Sequence, residues 1–301
     1  MQTQQTNSSA AKNVAFLGLG VMGFPMAAHL VKKGFHVTVF NRTQQKTQMW
    51  LEQNPTGKVA ATPAEAASQA DIVFSCVGND DDLREVTIGE NGAFAAMKPG
   101  CIYADHTTTS ADVAIELAEK AKQLGIHFLD APVSGGQAGA ENGILTIMVG
   151  GEQAIFDRAS NAMSSYAQAV TFMGAAGNGQ LTKMVNQICQ VGIIQGLAEG
   201  ISFGEKAGLD MQLVLDVIGK GASGSWQLQN RGKTMIANEF DFGFAIDWMR
   251  KDLGFALNVS RRVGASLPIT AVIDQFFASV QTKGGGRQDT SALIRLLKKG
   301  K

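Results

Sequence analysis

The stretch VAFLGLGVMGFPMAA, residues 14–28, decides the fold. A short apolar run leads directly into G-x-G-x-x-G, and a helix-forming segment follows. Gly18 permits the tight turn, Gly20 allows backbone to approach a pyrophosphate, and Gly23 lets helix pack closely on strand. The helix N-terminus adds N–H groups and the positive end of its dipole. A second strand-like run, HVTVF at 36–40, follows about 20 residues later, the spacing of a βαβ dinucleotide-binding unit. The loop Gly18-Leu19-Gly20-Val21-Met22-Gly23 is therefore the candidate cradle for a dinucleotide.

The residues after that second strand select the cofactor. A carboxylate there would bond the ribose hydroxyls of NAD and repel a 2′-phosphate. This chain has Asn41, Arg42 and Thr43 instead, an amide, a cation and a hydroxyl, so the reading favours NADP, with NAD as the alternative.

Working outward, short apolar runs alternate with helical stretches up to about residue 173, which predicts a doubly wound, mostly parallel Rossmann-type sheet. After GAAGNG at 174–179 the pattern changes. Residues 180–208 carry apolar positions at helical spacing with no proline, and further helical runs are expected at 211–219, 248–263, 271–282 and 291–299. The expected organisation is a disordered lead-in over 1–12, a dinucleotide-binding domain over 13–176 and an all-helical substrate and oligomerisation domain over 177–301.

Composition narrows the function classes. The chain has 301 residues, 45% of them hydrophobic, with 26 basic and 26 acidic side chains that cancel. Without a basic stripe, nucleic acid is not expected as the partner, and no apolar run is long enough to span a bilayer. The polar first dozen residues contain no secretory segment, so a cytoplasmic location is expected. Cys76, Cys101 and Cys189 are far apart in apolar surroundings and read as reduced core residues. Neither they nor His29, His36, His106 and His127 show metal-ligand spacing, so no metal is expected.

Two further segments carry chemistry. In DAPVSGGQAGAENGILTIMVGG, 130–151, the Ser134 hydroxyl and the backbone N–H groups around Gly135 and Gly136 suit a substrate carboxylate. In GNGQLTKMVNQ, 177–187, Lys183 can deliver a proton to a developing alkoxide, with Gln187 on the same helical face and Asn186 one step aside. To act as an acid near neutrality, a lysine must fall by about three pH units from its value in water. On the residues alone, the first segment also reads as a Gly-rich connection and Lys183 as an exposed helix lysine. A third segment, WMRKDLGFAL at 248–257, interrupts an apolar helix with Lys251 and Asp252. Their side chains leave the helix about 100° apart and are not expected to share one partner; one would touch a cofactor while the other braces a neighbouring helix, with an ordinary capping or surface pair as the alternative reading. In SGSWQLQNR, 223–231, Trp226 reads as packing and Arg231 as a possible anchor for a second substrate carboxylate.

The glycine loop and the segments at 130–151, 177–187 and 248–257, in this order, resemble the β-hydroxyacid dehydrogenase family, which includes 3-hydroxyisobutyrate dehydrogenase, tartronate semialdehyde reductase and glyoxylate/succinic semialdehyde reductase. The resemblance spans residues 13–299. It implies that Lys183 is the general acid of aldehyde reduction and the base of alcohol oxidation, and that Ser134, Gly135 and Gly136 hold the substrate carboxylate. It further implies cofactor contacts from Val77, Gly78, Thr108 and Lys251, with Asp252 in support. The family commonly has Asn where this chain has Gln187, so substrate anchoring falls to Gln187 or Asn186. The resemblance thus implies an NADP-dependent reductase of a small carboxylate-bearing aldehyde or keto acid, assembled as a homodimer or homotetramer. NAD-dependent oxidation of 3-hydroxyisobutyrate is the alternative. Imine-reducing relatives and non-catalytic binding proteins of this fold generally lack the lysine.

Overall fold

In the computed structural model, residues 12–298 are described; apart from Lys12, the lead-in expected at 1–12 lies outside them. The chain divides into two compact units, residues 1–180 and 181–301.

The first unit is built on a sheet of β1 (Asn13–Leu17), β2 (His36–Phe40), β3 (Lys58–Val59), β4 (Ile72–Ser75), β5 (Ile102–Asp105), β6 (His127–Asp130), β7 (Val133–Ser134), β8 (Leu145–Gly150) and β9 (Ala167–Gly174). Its order is β3-β2-β1-β4-β5-β6-β8-β7, with β9 paired to β8. The six strands β3 to β6 in that order run parallel, and β8 is antiparallel to both β6 and β7. Helices α1 (Gly23–Lys32), α2 (Gln44–Gln53), α3 (Pro63–Ala67), α4 (Asp80–Ile88), α5 (Ala111–Gln123), α6 (Gly136–Asn142) and α7 (Gln153–Met163) form the connections.

The strands read as continuous apolar runs because both faces are covered. Val14 and Phe16 of β1 enter one core cluster with Phe74 and Leu129, while Ala15 and Leu17 enter another with Val73, Tyr103 and Phe128. Period-two alternation thus divides each strand between two layers. The parallel register places the carboxyl ends of β1, β4, β5 and β6 along one edge, where open α/β sheets hold their ligands.

The second unit is helical. Helix α8 (Asn178–Lys206) runs into it and is followed by α9 (Met211–Ile218), α10 (Trp226–Ala237), α11 (Ile246–Val263) and α12 (Pro268–Gln281). Its core gathers Val191, Ile194, Ala198 and Ile201 of α8 with Met249 and Leu253 of α11 and Phe277 of α12. Where a terminal amphipathic helix was expected at 291–299, the chain makes a 3₁₀ turn over Thr290–Leu296, capped by Asp289 through Ser291 N. Helix α10 went unread because its sequence is polar on most sides. The signal was Ser225, whose hydroxyl accepts from Leu228 N and starts the helix.

Among the described residues no helix is long and apolar enough to cross a membrane, and no cluster of three or more His, Cys, Asp or Glu is placed to hold a metal. Cys76 and Cys101 are half-buried and pack against the two core clusters, whereas the core reading of Cys189 needs correction, since it is exposed.

Candidate active site

The glycine loop shows why its residues are glycines. A Cβ on Gly18, at φ +96°, would lie 2.4 Å from the carbonyl of Cys76, and one on Gly23 would strike the carbonyl of Gly18. A Cβ on Gly20 would meet nothing within 4 Å. Gly18 and Gly23 are needed for packing, whereas Gly20 leaves open space above the backbone. Beside it, α1 has Met22 at its N-cap and no side-chain cap, so its first N–H groups are not covered by one. These residues fit a dinucleotide pyrophosphate.

Asn41 has a second task. Its Oδ1 accepts Leu19 N–H at 2.8 Å and its Nδ2 donates to Thr43 O at 3.1 Å, so the amide braces the glycine loop from the end of β2. The Arg42 side chain is 90% exposed, with only a 3.4 Å contact to Asp82. Thr43 sits at the N-cap of α2 without spending its hydroxyl on capping.

The next strand ends are organised by a buried carboxylate that the sequence reading passed over. Asp105 Oδ1 accepts from Ser75 Oγ and Thr107 Oγ1, both at 2.6 Å, and from Thr107 N at 3.1 Å; Thr107 Oγ1 in turn accepts Val77 N–H at 3.0 Å. This bonding ties together the loops that carry Val77, Gly78 and Thr108. Burial pushes the Asp105 carboxyl up to about 7, against the pull of those hydroxyl donors. Adjacent His106 is buried between Ala131 O and the Tyr166 hydroxyl, and burial lowers it to about 4, so it is a neutral imidazole.

Asp130, which ends β6, is the second overlooked acid. It accepts Gly177 N–H at 2.8 Å and Gln180 N–H at 2.9 Å. The Gln180 side chain donates to Thr107 O at 2.8 Å and accepts from Thr109 N at 3.1 Å. Both acids had a signal in the sequence: IYAD and HFLD each end an apolar strand on a carboxylate. Four residues past Asp130, Ser134 is half-buried in β7, and Gly135 and Gly136 follow with φ of +130° and +62°. The connection continues into α6 and leaves both glycines exposed.

The lysine cluster belongs to the second unit. Lys183 on α8 is 7% exposed. Burial lowers it to about 8, with Lys251 pushing the same way and the Asp252 carboxylate opposing. Asp252 is 1% exposed; its Oδ1 lies 3.3 Å from Lys251 Nζ and its Oδ2 accepts from Gln187 Nε2 at 2.6 Å. Gln187 Oε1 accepts from Asn186 Nδ2 at 2.8 Å. Lys251 and Asp252, expected to diverge, pair with each other because the long lysine stem folds back. Asp252 also reaches a neighbouring helix, through its bond from Gln187 of α8. Lys251 also lies over the rings of Trp248 and Phe255.

Arg231 is not available as a second carboxylate anchor. It bonds Asp289 Oδ1 at 3.0 Å and stacks over Trp226 and Phe242. The structure thus gathers Lys183, Asn186, Gln187 and Lys251 around Asp252. The glycine loop, Asn41 to Thr43, Val77, Gly78, Thr108 and residues 134–136 belong to the first unit.

Residues 13–174 match the NAD binding domain of 6-phosphogluconate dehydrogenase, and residues 177–297 match the NAD-binding region of NADP-dependent 3-hydroxyisobutyrate dehydrogenase. The chain belongs to the 3-hydroxyisobutyrate dehydrogenase family of β-hydroxyacid dehydrogenases. It is 59% identical to an uncharacterized oxidoreductase of Shewanella frigidimarina, over 96% of this chain and 99% of that one. It is 30% identical to glyoxylate/succinic semialdehyde reductase 2, chloroplastic, of Arabidopsis thaliana, over 96% and 80% respectively. A solved structure of 3-hydroxyisobutyrate dehydrogenase from Mycobacterium tuberculosis with L-serine is similar at TM-score 0.86 and 30% identity, covering 96% of this chain and 99% of that one. Membership in the family makes the protein an NAD(P)-dependent oxidoreductase acting on CH–OH groups.

Proposed function

We propose that the protein is an NADP-dependent reductase that converts a small carboxylate-bearing aldehyde or keto acid, of the succinic semialdehyde, glyoxylate or tartronate semialdehyde type, to the hydroxy acid. The observation that carries this reading is Lys183, a lysine buried beside one carboxylate and one further lysine. Its value of about 8 leaves it mostly protonated at neutral pH, yet able to release its proton as an alkoxide forms. A bound NADPH supplies hydride to the carbonyl carbon. Lys183 Nζ delivers the proton to the carbonyl oxygen and is left as the neutral amine, to be reprotonated from solvent. The residues at 134–136 hold the substrate carboxylate through the Ser134 hydroxyl and backbone N–H groups. Exposed Arg42, with Thr43 beside it, takes the 2′-phosphate. The working enzyme is a homodimer or homotetramer.

The test is NADPH and NADH oxidation by purified protein with glyoxylate, succinic semialdehyde, tartronate semialdehyde and methylmalonate semialdehyde, beside a Lys183→Ala control. Fast turnover with NADPH that the control lacks supports the reading. Turnover confined to NAD and 3-hydroxyisobutyrate, as the similarity to the mycobacterial enzyme allows, would replace it with the oxidative alternative.

A further inference from the structure

Asp252, Gln187 and Asn186 form a chain of hydrogen bonds whose polarity is set from one end. An ionised carboxylate only accepts, so the group Gln187 turns toward Asp252 must be its NH₂, and the 2.6 Å contact is Nε2 to Oδ2. That leaves Gln187 Oε1 on the other side, where it can only accept, and it takes Asn186 Nδ2 at 2.8 Å. Asn186 Nδ2 is thereby engaged, which leaves Oδ1 as the other end of its amide. Gln187 is 1% exposed, whereas Asn186 is half-buried and is the end of the chain that reaches accessible space.

We propose that Gln187 is a positioning residue, not a substrate ligand: it transmits the polarity of Asp252 to Asn186, so that Asn186 offers an acceptor to a donor group, the hydroxyl of the substrate's alcohol form. The proposal rests on the reading of Lys183 as the proton donor and adds to it the orientation of the neighbouring amide. Asparagine at 187 would be a methylene too short to make the 2.6 Å contact with Asp252 from the same backbone position. The longer side chain is what carries this hydrogen bond from α8 to α11.

The same chain connects to Lys183 electrostatically. The charged groups acting on Lys183 are Asp252 and Lys251, both on α11. Burial raises the Asp252 carboxyl above the usual carboxylate range, while Lys251, Lys183 and the Gln187 donor pull the other way. Removing its donor leaves Asp252 a weaker counter-charge, and Lys183 then gives up its proton more readily.

The experiment compares Gln187→Leu and Gln187→Glu with the natural protein in reduction assays across pH. The Lys183 side-chain signal is titrated in parallel, in protein labelled with ¹³C-lysine and without cofactor, and folding is checked by thermal melting. Gln187→Leu is expected to lower kcat by roughly ten- to a hundredfold through misorientation. It should leave the cofactor KM unchanged and move the alkaline limb and the Lys183 titration to lower pH. Gln187→Glu adds a negative charge and should move both to higher pH. Opposite shifts from the two variants establish the coupling. A rise in substrate KM with neither limb nor titration moved would make Gln187 a direct ligand and overturn the proposal. Should Gln187→Leu not fold, the near-isosteric Gln187→Glu decides alone, an unmoved titration overturning it. Full activity of Lys183→Ala is a separate result, which removes the lysine reading whatever the Gln187 variants do.

Discussion

The carboxylate of Asp130 accepts the backbone N–H of Gln180 at 2.9 Å, joining the end of β6 to the first turn of α8. Its other oxygen takes Gly177 N–H, so one side chain satisfies two of the donors that a helix start leaves over. Asp130→Ala strands both in a buried setting and should lower unfolding stability by roughly 2 kcal/mol or more. Chemical denaturation measures it; a loss below a few tenths of a kcal/mol would mean that another group takes over the cap.

Lys183 sets the expected pH dependence of turnover. On the proposed role, reduction uses the protonated amine and oxidation the free amine, so the reductive kcat should fall as pH rises through about 8, while the oxidative rate climbs through the same region. Lys183→Ala should cost about 10²–10⁴-fold in kcat, the usual contribution of a positioned acid. Rate profiles in both directions check the crossing; parallel rather than mirrored profiles would count against the lysine.

The buried groups of the first unit give its stability an unusual pH dependence. Asp105 and Asp130 are raised from 3.8 to about 7 and about 6, so the folded chain holds protons that the unfolded chain has released, and stability declines as pH rises from about 4 to about 7. His106, lowered from 6.5 to about 4, works in the opposite sense, costing stability as pH falls through that window. Replacing Asp105 with Asn removes the largest acidic contribution. Between pH 5 and 7.5 the natural protein should lose roughly 2 kcal/mol more than Asp105→Asn does, as read from urea midpoints.

Cofactor choice is tested at Arg42. On the proposed role, removing the exposed guanidinium should weaken NADPH binding about tenfold or more and leave NADH nearly unchanged. Titrations of Arg42→Ala with both nucleotides decide it; equal losses would place the arginine's role elsewhere.

Helix α8 carries Gly192, Gly196 and Gly200, at each of which a Cβ would meet nothing within 4 Å. Glycine inside a helix costs about 1 kcal/mol relative to alanine. Gly196→Ala should therefore raise the melting temperature. A lower one, accompanied by a smaller species in sedimentation, would show that other copies of the chain pack against this face.

The sequence and the structure agree most closely where local geometry is decisive. The glycine loop could be read because Gly18 takes a positive φ and Gly23 abuts Gly18 O five residues back, and α8 because its apolar spacing persists for many turns. The polar framework was harder to see. Asp130 meets Gln180 across 50 positions and Asp105 meets Ser75 across 30, and nothing local announces such partners beyond a carboxylate ending an apolar strand. Lys251 and Asp252 were separated by ideal helix angles that ignore how far a lysine stem can bend. The 3₁₀ turn at Thr290–Leu296 escaped for a related reason: periodicity cannot tell it from the last turns of an α-helix.

The Leu19–Asn41 bond leaves an evolutionary route open. An aspartate at position 41 would still accept the Leu19 N–H, so the glycine loop would keep its brace while gaining the charge that welcomes an unphosphorylated ribose. The loss would be local, a carboxylate facing Thr43 O where an amide now donates. The charge at the end of β2 can therefore change by a single substitution without first rebuilding the turn that Asn41 braces.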